Sequence, residues 1–84
     1  MKVTDVKIKL REDDSKIKAV AAVTFDDCFV VHGINVIEGQ KGMFIAMPSR
    51  KISETVYLDI VHPTNGETRK MIEEAIFAAM DQVE

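Results

Sequence analysis

The sequence predicts an α+β domain: a five-stranded, antiparallel, meander-like sheet followed by a C-terminal helix packed on one of its faces, in two layers. Three observations lead there. Apolar and polar residues alternate with a period of two through much of the first 61 positions, the signature of half-buried strands. The connectors between these runs are short and polar, whereas parallel strands need crossovers of about a dozen residues or more. After His62-Pro63 the apolar period changes to that of a helix. With 84 residues, 46% of them hydrophobic, the chain suits one domain covering 1–84.

The elements follow in order. Residues 2–11 place Thr4, Val6, Ile8 and Leu10 on one side and Asp5, Lys7, Lys9 and Arg11 on the other, as a half-exposed strand does. Glu12-Asp13-Asp14-Ser15 supplies a turn. Residues 16–25 form a second strand with Ile17, Ala19, Ala21, Val23 and Phe25 on one face. Val20 and Ala22 make its other face less polar, which puts it centrally in the sheet or under another layer. Asp26-Asp27 is the next break. Residues 29–38, rich in Val and Ile, make a third strand, and Gly33 within it marks a bulge or a close backbone approach. Gly39 and Gly42 bracket a tight polar turn into a fourth strand at 43–47. Pro48 ends that strand, because it lacks the N–H that would continue the ladder. Residues 49–54 read as a loop that opens with Arg50-Lys51, and 56–61 as a fifth strand.

His62-Pro63-Thr64 then launches the helix. Thr64 and Glu67 fit a capping box, in which each side chain satisfies an orphan N–H. Thr68, Ile72, Ala75, Ile76, Ala79 and Val83 recur with helical spacing, a stripe suited to cover one face of the sheet. Phe77 falls roughly opposite, counting about 100° per residue. It is either a surface residue or part of a subunit contact, and the small core favours the contact.

Composition excludes several classes. The longest apolar runs fall far short of the roughly 20 residues a membrane helix needs. Met-Lys-Val-Thr-Asp is no secretory leader, so a cytoplasmic location is expected. The lone Cys28 can form neither an internal disulfide nor a multi-cysteine metal site; it is expected to be inert and partly buried. A metal set drawn from Asp26, Asp27, His32, Asp59 and His62 has no ligand spacing behind it. Asp59 and His62 would point to opposite faces of a strand, and His62 better serves to close the strand-to-helix corner by a hydrogen bond. Gly39-Gln40-Lys41-Gly42 is not followed by a helix, so nucleotide hydrolysis has no footing. No catalytic residue, metal, cofactor or small-molecule substrate is assigned. The five methionines, Met43, Met47 and Met80 among them, read as packing residues.

Net charge is −3, yet six of the eleven basic residues lie between Lys2 and Lys18, and the last twelve residues hold four acids and no base. Three cationic points stand out. Arg69 and Lys70 occupy the first turns of the helix, where the macrodipole is positive, and Glu73, Glu74, Asp81 and Glu84 follow. That order is the reverse of what helix stability prefers. Free N–H groups and two cations at one helix end suit a phosphate. The plainer reading makes Arg69–Glu73 and Lys70–Glu74 solvated i, i+4 pairs in the weaker orientation. Arg50 and Lys51 are either a second phosphate contact or a solvated turn. Lys7, Lys9 and Arg11 line an edge-like strand, where lysines commonly block unwanted strand pairing. Tyr57 and the four phenylalanines do not interleave with the bases, so a base-stacking platform is poorly supported, and no zinc-finger or RNA-binding aromatic motif occurs.

Residues 36–50, Val-Ile-Glu-Gly-Gln-Lys-Gly-Met-Phe-Ile-Ala-Met-Pro-Ser-Arg, resemble the SpoVG family, the stage V sporulation or septation protein G group. The likeness extends through Met1-Lys2-Val3-Thr4-Asp5-Val6, Phe29-Val30-Val31-His32, Asp59-Ile60-Val61-His62-Pro63 and Arg69, nearly the whole chain. The resemblance implies a small bacterial cytoplasmic protein that pairs as a homodimer. It implies a role in sporulation and negative control of asymmetric septation, exercised through site-specific binding of DNA and RNA. It also implicates basic residues at the start of the C-terminal helix, here Arg69 and Lys70; Arg50 and Lys51 are added from charge and position. The chain stops at Glu84, so no contribution from a longer tail is expected. Replacing Arg69 and Lys70 by Ala is expected to weaken binding without lowering the melting temperature. The alternative reading is a protein-interaction module of cell-division control that touches no nucleic acid, served by exposed strand edges and Phe77.

Overall fold

The computed structural model describes residues 1–11 and 16–82; the turn expected at 12–15 and the last stripe position, Val83, lie outside the described residues. The elements are β1 (Val3–Leu10), β2 (Ile17–Phe25), β3 (Phe29–Gly39), β4 (Gly42–Ala46), β5 (Ser49–Lys51), β6 (Tyr57–Asp59) and α1 (Gly66–Asp81). Strands β1 to β4 form one antiparallel sheet in the order β1-β2-β3-β4, while β5 and β6 pair only with each other. The α+β, sheet-then-helix architecture is as expected, but the fifth strand is not part of the sheet. Residues 49–51, read as a loop, are its partner, with Arg50 opposite Leu58 and Lys51 opposite Tyr57. A partner a few residues back costs somewhat less loop-closure entropy than the β4 edge, about 0.6 kcal/mol for each halving of the loop.

Alternation positions the core. Ala19, Ala21, Val23 and Phe25 on β2 are buried, as are Val31, Ile34 and Val36 on β3 and Ile45 on β4. β2 lies between β1 and β3, as its two apolar faces anticipated. Gly33 adopts φ 77° where the β2–β3 register slips between Ala21 and Val23, so the glycine does mark a bulge. Gly39 pairs with Gly42 across the two-residue turn, and a Cβ on Gly39 would stand 2.9 Å from the Phe44 ring.

The β2–β3 turn is held by the start of the chain. Asp26 and Asp27 both have positive φ, 51° and 56°, the backbone of a type I′ turn that aspartate tolerates better than most residues. The Cys28 N–H donates to the Phe25 carbonyl at 3.0 Å. The Lys2 N–H donates to Asp26 Oδ1 at 3.0 Å, and the Asp27 N–H to Thr4 Oγ1 at 2.9 Å. Cys28 itself is exposed, contrary to the partly buried position expected, because it sits at the corner of this turn. Met43 is exposed as well, whereas Met47 is buried and Met80 packs on the core.

α1 lies across β1 and, less extensively, β2, burying Ile72 and Ile76. Two helix expectations need correction. The N-cap is Asn65, not Thr64: its Oδ1 accepts from the Thr68 N–H at 2.8 Å, so Glu67 is not the third helical residue that a capping box requires. Phe77 is half-buried and packs against the core with Met71 and Met80. A helix on a twisted sheet touches it through a wider band than one stripe. Among the described residues no helix is long and apolar enough to cross a membrane.

Candidate functional site

The helix entrance is built by a corner that fixes itself locally. His62 Nδ1 lies 2.9 Å from the Pro63 carbonyl oxygen; since a carbonyl only accepts, this contact is a hydrogen bond when Nδ1 carries the proton. Asn65 then caps the first turn. Arg69, one turn in, is engaged on two sides. Its Nη2 donates to the Ile45 carbonyl at 2.8 Å, across to β4, and its Nε lies 3.3 Å from Glu73 Oε1. The side chain remains 42% exposed, so part of its five-donor fork still faces water. Lys70 is exposed, in a shallow groove it shares with Glu67 and Glu74. Of the two i, i+4 pairs suggested by spacing, Arg69–Glu73 forms; among the described residues no ion pair joins Lys70 to Glu74.

Arg50 and Lys51 are exposed on β5, on a strand rather than in a loop, and being neighbours they project to opposite faces of the ribbon. Lys7 and Lys9 stand on the uncovered face of edge strand β1, beside Val20, Ala22 and His32. The structure therefore brings Arg69 and Lys70 to one helix end. Among the described residues no hydrogen bond or ion pair links them to Arg50 or Lys51. Nor does any group of three or more His, Cys, Asp or Glu among those residues stand where it could hold a metal ion.

Two features escaped the sequence reading. One is an apolar cleft of about 150 Å³ at the helix entrance, where Phe29, Met47 and Val61 meet Ile72. The other is the ribbon β5–β6, exposed throughout from Ser49 to His62. Only half of the ribbon was detectable: Val56-Tyr57-Leu58-Asp59-Ile60 alternates without a break, whereas Ser49-Arg50-Lys51 carries no apolar residue. The cleft left no signal, because its walls come from five separate stretches of chain.

A four-stranded sheet under one helix, with a separate two-stranded ribbon and cations at the helix entrance, defines a small α+β sheet-and-helix domain. Residues 1–82 match the family model described as SpoVG, and the chain belongs to the SpoVG family. Relatives named "Putative septation protein SpoVG" agree. That of Phytoplasma australiense is 54% identical over 99% of this chain and 86% of its own length. The Caldicellulosiruptor bescii protein is 52% identical over 99% and 94%, and that of Alkaliphilus metalliredigens 58% over 93% and 80%.

Proposed function

We propose that this chain is a cytoplasmic regulator of sporulation and septation that works as a homodimer and binds DNA or RNA at specific sites. Arg69, Lys70, Arg50 and Lys51 contact phosphate in this reading, and no cofactor, metal, membrane or small-molecule substrate takes part. Family membership and the relatives' name support the septation role. The observation that carries nucleic-acid binding is the set of exposed cations left outside ion pairs. Lys18 is tied to Glu38 and Arg69 to Glu73, but Lys70, Arg50 and Lys51 stand in water with no such partner among the described residues. Phosphate contacts position a protein on nucleic acid whatever the base sequence. Because the chain is acidic overall, binding is modest and depends steeply on salt.

The test is fluorescence anisotropy with a mixed-sequence duplex DNA and the matching RNA across a salt series. Log K should fall linearly with log salt, by roughly 0.9 per neutralised phosphate on duplex DNA. The absence of binding at low salt would favour the second reading, an interaction module for division or regulatory proteins. The exposed apolar side chains of the ribbon are what favours that alternative.

A further inference from the structure

The ribbon carries a face that the chain itself leaves bare. Its ladder keeps one register, from Pro48 bonded to Ile60, through Arg50 opposite Leu58, to Ile52 bonded to Val56. Side chains therefore segregate by parity. One face holds Ile52, Val56, Leu58 and Ile60 beside Arg50; the other holds Ser49, Lys51, Tyr57 and Asp59. The four aliphatic residues are 57%, 45%, 56% and 66% exposed. Clean alternation belongs to strands with one covered face, yet α1 lies on β1 and β2. A two-stranded ribbon standing alone is marginal in water.

The same chain has the matching cavity. The cleft of about 150 Å³ at the helix entrance is walled by apolar side chains, Phe25, Val31, Met47, Val61 and Ile72 among them. Phe29, at its mouth, is 60% exposed. The sheet edges differ too. β1 carries Lys7 and Lys9 as guards, whereas β4 reads Gly-Met-Phe-Ile-Ala without a charge of its own, its Ile45 carbonyl taken by Arg69.

We infer that the ribbon of each copy lies across the apolar cleft of a second copy, reciprocally about a two-fold axis. Arg50 of the partner subunit, on the seated face, then joins the cationic site that Arg69 and Lys70 begin, with Lys51 of the partner subunit flanking it on the ribbon's outer face. This rests on the homodimer proposed above and fixes where its seam lies. A second copy is the occupant because projection and cavity occur on one chain, and a two-fold exchange fills both at once. The ribbon springs from the rim of its own cleft, through Val61, His62 and Pro63, so two ribbons crossing at the axis each reach the neighbouring cleft. A specific interface covers roughly 800 Å² per partner, about an eighth of this chain's 6247 Å². The cleft is also lined by Thr68 and Ile72, which flank Arg69 on α1, so a ribbon seated there brings its own cations to the helix entrance. Within one chain no hydrogen bond or ion pair among the described residues links the two pairs; across the seam Arg50 of the partner subunit meets Arg69 and Lys70.

Oligomeric state decides the seam without any nucleic acid. Sedimentation should show a wild-type dimer, a monomeric Leu58→Asp that keeps its far-UV spectrum and cooperative melt, and a dimeric Ala78→Glu on the exposed flank of α1. A wild type monomeric at every concentration overturns the inference; so does a dimeric Leu58→Asp, or an Ala78→Glu that dissociates. The shared site has its own readout. Arg50→Ala/Lys51→Ala and Arg69→Ala/Lys70→Ala should each bind the duplex probe at least roughly tenfold more weakly. Co-refolded in equal amounts they should regain about a quarter of the wild-type sites, because half the dimers are mixed and each mixed dimer has one intact site. No recovery refutes a site shared between subunits. If the wild-type dimer binds no probe at all, the nucleic-acid reading and the shared site fall together, while sedimentation still judges the seam.

Discussion

Arg69 and Lys70 are neighbours on one helix turn, and the fold gives them different work. Arg69 reaches back to the Ile45 carbonyl and along to Glu73, tying the helix entrance to β4. A hydrogen bond from a charged group contributes about 1.5–3 kcal/mol when well buried; with the side chain 42% exposed, about 1 kcal/mol is the better figure. Arg69→Ala should therefore lower Tm by roughly 4–8 °C, the shift that about 1 kcal/mol produces in a domain this small. Lys70→Ala should leave Tm unchanged and make the salt dependence of duplex binding shallower by about one phosphate. Differential scanning fluorimetry beside the anisotropy series checks both. This division revises the expectation that both residues could be removed at no cost in stability. The spacing of Arg69 and Glu73 announced their pair; the carbonyl of Ile45, 24 residues away in sequence, announced nothing.

Among the elements, α1 was legible because its stripe is long and its period unambiguous, and Ile72 and Ile76 are buried as that stripe requires. Its first residue was misread. Thr64 with Glu67 satisfies the capping-box pattern, but Asn65 caps one position later, with extended backbone at φ −147° and ψ 164°. Thermal melts separate the two assignments. Asn65→Ala should cost about 1 kcal/mol, the usual worth of an N-cap, and Thr64→Ala should stay within about 0.5 kcal/mol of wild type. β2 and β3 were equally readable, since alternation over many residues leaves one register that buries the apolar set. β5 was not: Ser-Arg-Lys has no apolar residue, and only its partner makes it a strand.

At the scale of the molecule, a small core and a bare ribbon lead to one further expectation. A domain of about this size buries only roughly 60–65% of the surface its unfolded chain exposes, and here Ile52, Leu58 and Ile60 add to the exposed remainder. If a second copy covers them, folding and association are linked, and stability rises with protein concentration by mass action. Tm from calorimetry should climb as concentration is raised across the dimerisation range, and Leu58→Asp should abolish that climb. Net charge of −3 opposes binding to any polyanion by one copy with scattered cations. Two copies sharing a seam change the local field without changing the sum.

By itself the sequence determined the fold class, the inner faces of β2 and β3, an irregularity at Gly33 and the helix stripe, which depend on neighbours within a few residues, and the family, whose likeness runs along nearly the whole chain. Only the tertiary structure decided that the fifth strand leaves the sheet, that Arg69 is partly consumed by a backbone carbonyl, and that Phe77 packs inward. Local periodicity states which face of an element is apolar. It cannot state what lies against that face, because that depends on contacts between residues far apart along the chain.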